Sequence, residues 1–238
     1  MLACLFLAGC SSTSDLVSKR YRPDFQNTIA SGNKRILILE PIVISYKIND
    51  SKKENYEASQ YLTNVVRDAA ITALGRKGYK AIIFLNNDDA KIISLKHEIE
   101  KKSNIYIQKK YFTEGLVSSK EAIKLDDNFG DSAIKLGDIL NTNLIIGIQY
   151  TSSFEWDNSS QSLNGLLFQA VDSVTGSGIT KREVYTCRLV LIDALTGNVI
   201  YSNALYSTNS GLISVSEKDL FAPKYIEQVT NLIEQILP

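Results

Sequence analysis

The apolar residues of this chain fall into short, nearly continuous runs, separated by longer stretches with helical spacing. Runs that are apolar almost throughout are typical of strands covered on both faces. Three such strands are predicted: KRILILEPIVIS (34–45), YKAIIFL (79–85) and NLIIGIQY (143–150). Pro41 has no backbone N–H to donate, so the first strand is interrupted there or lies at a sheet edge.

Helices are predicted where apolar residues recur every three or four positions. The longest such stretch ends at Gly75 and Gly78, because glycine commonly terminates helices. Shorter helices are predicted over 88–102 and 131–140. A last helix is predicted over 222–237, where Pro223 suits the first turn.

The strongest local signal is a β-hairpin, EVYTCRLVLIDALTGNVIYSNALYS (183–207). Two β-rich runs flank the sequence Leu-Thr-Gly-Asn (195–198), in which Gly197 can adopt a positive φ without steric cost. Thr196 and Gly197 are therefore predicted as the structural turn residues.

Taken together, the elements predict an α/β (α+β) fold for residues 34–238. We expect a single mixed sheet of about five strands, helices packed on it, and a C-terminal helix. The chain has no internal repeat, and its apolar residues, 44% of the total, suffice for one core.

The N-terminus opens with an uncharged apolar run, residues 1–9, that is far shorter than the ~20 residues of a membrane-spanning helix. It ends in small residues before a cysteine, which is typical of a secretory signal. Leu7-Ala8-Gly9-Cys10 resembles the bacterial lipobox, and that resemblance implies cleavage before Cys10 and acylation of this residue. No Lys or Arg precedes Lys19, so a start upstream of Met1 is expected.

The residues after Cys10 are mostly polar, and residues 10–33 are predicted to form a lipidated, flexible tether. A single buried acyl chain anchors only marginally, whereas the two or three chains of a bacterial lipoprotein anchor firmly. Ser11 and Ser12 occupy the place of an inner-membrane retention signal, so the resemblance implies the periplasmic face of the outer membrane.

Few residues offer catalytic chemistry. His97 is the only histidine and lies in a helical pattern, so a surface position is expected. Cys187 is the only cysteine beyond the lipobox and is expected to be a buried strand residue. We therefore expect no metal site, no cofactor and no enzymatic activity.

The charges balance, with 26 Lys and Arg against 26 Asp and Glu. A nucleic-acid-binding domain carries a strongly basic face, so nucleic acid is not an expected partner. The expected partners are the membrane, through the lipid anchor, and other envelope proteins.

Residues 153–180 form a long polar insertion with an apolar patch at Leu166, Leu167 and Phe168. Loops of this length are usually functional or disordered. Three interpretations stay open: a surface loop folded onto the sheet, a partner-docking loop, or a hairpin inserted in a membrane.

Three stretches resemble one family: RILILEP, LGDILNTNLIIGIQY and the hairpin with its turn DALTGN. They are similar to the periplasmic domain of the curli-secretion lipoprotein CsgG and its smaller outer-membrane relatives. The resemblance implies an α/β domain that works through protein contacts. A lipid-anchored envelope scaffold or assembly factor is expected, and a homo-oligomeric secretion-channel subunit is the alternative.

Overall fold

The computed structural model describes residues 16–31, 34–47, 54, 56–84, 89–113, 125–154, 183–209 and 223–238. The strands are β1 (Leu16–Tyr21), β2 (Arg35–Ile38), β3 (Ile42–Lys47), β4 (Lys80–Ile83), β5 (Leu144–Phe154), β6 (Glu183–Asp193) and β7 (Val199–Asn209). The helices are α1 (Phe25–Ser31), α2 (Tyr56–Arg76), α3 (Ala90–Gln108), α4 (Asp131–Leu140) and α5 (Pro223–Ile236). A π-helical turn, Lys109–Thr113, extends α3.

The seven strands form one mixed sheet, in which six follow the order β1-β7-β6-β5-β2-β4 and β3 pairs with β5 outside this order. Strands β2 and β3 both run parallel to β5, while β6 and β7 form an antiparallel hairpin beside it. This confirms the predicted fold class of a single mixed sheet with packed helices and a C-terminal helix.

The predicted strand 34–45 is two strands. β2 pairs with β5 from Leu144 to Ile146, and β3 pairs with it from Gln149 to Phe154. Glu40 and Pro41 lie between the two strands, where proline's missing N–H removes no ladder bond. The split adds one strand to the five expected, and β1 adds another.

The prediction of a flexible tether over residues 10–33 is wrong for the part that the structure describes. Leu16–Tyr21 is strand β1, which pairs antiparallel with β7 along all six of its residues, and Phe25–Ser31 is helix α1. The polar composition was misleading because β1 gains its stability from pairing with β7 rather than from its own apolar content.

Helices cover both faces of the sheet. On one face, α2 and α5 pack on β5 through Ile146, Ile148 and Tyr150. On the other face, α3 and α4 cover Ile145 of β5 and Ile192 of β6. Successive strand residues point to opposite faces, so β5 contributes to both core layers. This explains its nearly continuous apolar sequence.

Helix α3 approaches the sheet closely where β5 has Gly147. A Cβ at this position would overlap the side chain of Ser103 on α3. Further along, Tyr106 of α3 reaches Ser202 of β7, and the carbonyl of Lys110 reaches Arg20 of β1. Helix α3 and its π-helical extension therefore cross the sheet toward the β1 edge.

Among the described residues, no helix is long and apolar enough to span a membrane.

Candidate functional site

The two residues with the greatest catalytic potential lie on opposite sides of the sheet. Cys187 is fully buried in the layer beneath α2 and α5, and this burial raises the pKa of its thiol to about 12. His97 lies on α3 on the other side, with its side chain 70% exposed and its Nδ1 atom 3.1 Å from Oε2 of Glu100. The two groups cannot act on one substrate.

No metal centre is apparent in the part of the chain that the structure describes. Those residues contain no group of three or more His, Cys, Asp or Glu side chains close enough to share an ion. The absence of a cofactor or of catalysis elsewhere stays an expectation.

A buried polar cluster lies between the β1 edge of the sheet and α3, and we call it the arginine–tyrosine cluster. Its members are Arg20, Tyr106, Lys110, Tyr111 and Ser202. The hydroxyl of Ser202 is 3.0 Å from those of both tyrosines. The Arg20 guanidinium donates to the carbonyl of Lys110 at 3.0 Å and lies 5.3 Å from the centre of the Tyr111 ring.

The cluster continues along the same face of the sheet through Arg188 of β6. Its guanidinium donates to Oε1 of Gln149 at 3.1 Å and to the hydroxyl of Tyr206 at 3.3 Å. Burying a cation is costly unless it is hydrogen-bonded. The amide and hydroxyl oxygens on the neighbouring strands offset part of that cost, and the Tyr206 ring adds a cation–π contact at 5.2 Å.

The electrostatics of the cluster suit it to positioning and not to proton transfer. Burial raises the pKa of Tyr106 and of Tyr111 well above the ordinary value, and the hydrogen bonds to Ser202 offset only part of that rise. Both hydroxyls therefore stay protonated at neutral pH. Lys110 forms a salt bridge with Asp127, in which the Lys110 Nζ atom lies 3.3 Å from the Asp127 Oδ2 atom. The arrangement fastens β1 and the end of α3 to the sheet.

The turn between β6 and β7 is the second ordered polar feature. The Asp193 carboxylate accepts from the Thr196 hydroxyl at 2.6 Å and from the backbone N–H of Leu195 at 3.0 Å. Gly197 has φ +72°. Its carbonyl accepts from the N–H of Phe129 at 2.7 Å, so the turn is docked onto the segment before α4.

The residues predicted as sites divide into two groups. Thr196 and Gly197 lie in the turn between β6 and β7. Cys10 and the patch Leu166, Leu167 and Phe168 lie outside the described residues. The insertion predicted at 153–180 begins inside β5, which runs to Phe154, and the rest of it also lies outside the described residues.

The sequence does not predict the arginine–tyrosine cluster. Arg20 falls in the predicted tether, and the stretch that contains Tyr106 and Tyr111 has no clear period. The sequence of β1, Leu-Val-Ser-Lys-Arg-Tyr, has no apolar–polar alternation that would mark Arg20 as a buried residue. Ser202 carries no signal of its own, because its role depends on which residues cross above it.

These features define an α/β protein with one seven-stranded mixed sheet covered on both faces. No protein-family model and no curated protein matches the sequence. Among solved structures, the chain is similar to the PelC dodecamer from Paraburkholderia phytofirmans, with 14% identity, TM-score 0.38, and coverage of 94% of this chain and 95% of that chain.

Two further solved structures are similar over most of the chain. Lipoprotein GNA1162 from Neisseria meningitidis is 13% identical with TM-score 0.34, and the match covers 84% of this chain and 95% of that one. The LpoB C-terminal domain from Salmonella enterica is 10% identical with TM-score 0.27, and the match covers 81% and 96%. These values do not assign the chain to a family, and membership of the curli-secretion family stays a prediction.

Proposed function

We propose that this protein is a lipid-anchored lipoprotein of the bacterial envelope and acts there as a non-catalytic scaffold or assembly factor. Acylation at Cys10 attaches it to the outer membrane, and the folded domain faces the periplasm. It works by binding other envelope proteins.

The observation that carries this proposal is the lipobox-like sequence Leu7-Ala8-Gly9-Cys10, placed six residues before the first strand of a folded domain. Two or more acyl chains on one residue bind a bilayer firmly. The short connection means that the anchor and the domain act as one unit.

A non-catalytic role is supported by how the domain uses its reactive side chains. The Cys187 thiol is buried and protonated, and His97 lies on the surface of α3 beside Glu100. The hydroxyls of Tyr106 and Tyr111 bond to Ser202 inside the core. The described domain therefore presents surfaces rather than reactive groups.

Partner binding is assigned to the apolar patch Leu166, Leu167 and Phe168. An apolar cluster bordered by polar residues is typical of a protein-binding surface. The segment that carries it leaves the sheet at Phe154 of β5 and re-enters at Glu183 of β6, so it starts and ends at one end of the sheet.

Two measurements test the proposal. Cys10→Ser should abolish incorporation of labelled palmitate and release the protein from the membrane fraction, and continued labelling would contradict the anchor. Replacing Leu166, Leu167 and Phe168 together by Ser should preserve folding and labelling, and it should remove crosslinks to partners in intact cells.

The same triple variant distinguishes the scaffold from a secretion-channel subunit. Planar-bilayer conductance that is present in the wild type and lost in the triple variant would favour the channel. An unfolded triple variant would assign the three residues to the core and overturn the docking role.

A further inference from the structure

The sheet has two distinct ends along the strand direction. The anchor end is where β1 begins at Leu16, β5 ends at Phe154 and β6 begins at Glu183. The turn end is where Asp193–Val199 joins β6 to β7. Paired residues on the neighbouring strands lie at the same level as Leu16 of β1. They are Tyr206 of β7, Thr186 of β6 and Thr151 of β5.

Helix α2 runs from the anchor end to the turn end. Near its start, Ser59 accepts a hydrogen bond from the backbone N–H of Ser45, which pairs with Ser152 of β5. After its end, Lys80 donates to the carbonyl of Lys34, just before β2. Tyr56 precedes Ser59 by three residues, about 4.5 Å along the axis, and is 72% exposed at the anchor end.

The connection between Cys10 and Leu16 limits how far the domain can stand from its anchor. Six residues span at most about 20 Å when fully extended. Strands β5 and β6 project three residues, about 10 Å, beyond the level of Leu16. The projection is about half of the length that the connection can span. The strand ends therefore lie close to the membrane surface in which Cys10 is anchored.

The turn end lies beyond this reach. From the level of Thr151 to Leu144, which pairs with Asp193, there are seven residues, or about 24 Å along β5. To bring Cys10 level with the turn end, the connection would have to reverse at Leu16 and run back along the whole edge of the sheet. Even fully extended, it would not reach the turn.

Strand β1 is fastened in its register, so the direction in which the chain enters the sheet is fixed. It pairs with β7 along its full length. Arg20 adds a hydrogen bond to the Lys110 carbonyl and a contact with the Tyr111 ring on the layer below the sheet.

We propose that the anchor end of the sheet faces the lipid bilayer and that the short connection from Cys10 to Leu16 holds it there. The turn end, with Leu195 61% exposed, then faces away from the membrane. This orientation rests on the proposed lipid anchor at Cys10.

Single-cysteine probes at the two ends test the orientation. Tyr56→Cys and Leu195→Cys are matched in being exposed apolar positions, and each is labelled with a maleimide fluorophore. Cys187 is buried and its thiol is protonated, so it escapes labelling in the folded protein. The full-length acylated protein is reconstituted into phosphatidylcholine vesicles that contain headgroup nitroxide lipids.

Quenching at position 56 is expected to exceed quenching at position 195 by at least about threefold, because eight residues, or about 27 Å, separate Ser152 from Leu144 along β5. Equal quenching at both positions would show that the sheet lies edge-on and would overturn the orientation. Stronger quenching at position 195 would overturn it as well.

A spacer variant tests the role of the short connection. Twenty Gly and Ser residues inserted between Ser14 and Asp15 add a flexible chain of about 25 Å root-mean-square length. Quenching at position 56 should fall toward the value at position 195. An unchanged difference between the two would overturn the role assigned to the connection.

Flotation of the same vesicles separates this proposal from the one on which it rests. Wild-type protein that fails to float with the vesicles contradicts the lipid anchor and the orientation together. Protein that floats but shows equal quenching contradicts the orientation alone. Cys10→Ser should not float.

Discussion

Gly197 is the residue at which the fold leaves least room for a side chain in the β6–β7 turn. Its φ of +72° is costly for residues with a Cβ atom. A Cβ there would also lie 2.8 Å from the carbonyl oxygen of Gly130 and 3.0 Å from its nitrogen. The turn therefore needs glycine both for its dihedral angle and for its docking onto the segment before α4.

Gly197→Ala is expected to lower the free energy of unfolding by at least about 1–2 kcal/mol. For a domain of this size, this corresponds to a fall in Tm of several degrees. Gly197→Asn eases the dihedral penalty but still meets Gly130, so it should destabilise too. Thermal denaturation followed by circular dichroism measures both.

Gly75→Ala is the matched control for the Gly197 variants. Gly75 lies in α2, and a Cβ there would meet nothing within 4 Å. Alanine is favoured over glycine in helices by about 0.5–1 kcal/mol, so this variant should be slightly more stable. Equal effects of alanine at the two positions would contradict the assigned role of the turn.

Among the elements, β1 is attached both by strand pairing and by a side chain that reaches outside the sheet. It has six residues and lies at the sheet edge beside β7. Arg20 ties it to the π-helical turn after α3. Under the proposed acylation of Cys10, β1 is the first described element after the anchor, so its attachment determines how firmly the domain is held.

Arg20→Ala should loosen β1 without unfolding the domain. Hydrogen bonds that involve a charged group contribute about 1.5–3 kcal/mol, which corresponds to tenfold or more in local opening. Amide hydrogen exchange at Leu16–Tyr21 should accelerate by that factor, while exchange in β5 should change little.

Arg22→Ala is the control for this experiment. Arg22 follows the strand and interacts with Asp24 at 3.5 Å on a partly exposed surface, so exchange in β1 should not change. Unchanged exchange in Arg20→Ala would show that pairing with β7 alone holds the strand.

At the scale of the whole molecule, both core layers contain acidic hydroxyl or thiol groups that burial keeps protonated. Burial raises the pKa of Tyr106 and Tyr111 beneath α3, and it raises that of Tyr201 beneath α2 and α5. The pKa of Cys187 rises to about 12 for the same reason. The unfolded chain releases these protons at lower pH than the folded one.

Stability should therefore be constant with respect to these groups below about pH 8, fall first as the unfolded thiol ionises near pH 9, and fall further as the unfolded tyrosines ionise near pH 10. Each buried tyrosine loses about 1.4 kcal/mol of stabilisation one pH unit above its unfolded pKa of about 10. The urea midpoint should be lower at pH 11 than at pH 8, and tyrosinate absorbance should rise with unfolding. Ionisation of these tyrosines near pH 10 in a folded domain would contradict the burial. Tyr56→Phe, at an exposed site, should leave the profile unchanged.

Local sequence patterns are sufficient to predict the elements that have a periodicity of their own. The apolar spacing of α2 and α5, the β-rich arms of β6 and β7, and the turn glycine between them follow from local rules. A strand such as β5, with both faces buried, has to be apolar along its length, and its sequence shows this. These elements were sufficient to predict one mixed sheet with helices on it.

The roles of residues whose partners are distant in the chain follow only from the packing of the elements. Strand β1 has a mostly polar sequence that does not itself indicate a strand. Its stability comes from pairing with β7 and from the contact of Arg20 with a turn 90 residues away. Ser202 joins two tyrosines only because α3 crosses over β7 at that point. No local pattern encodes such contacts, because their energy depends on which elements pack together and not on the neighbouring residues in the sequence.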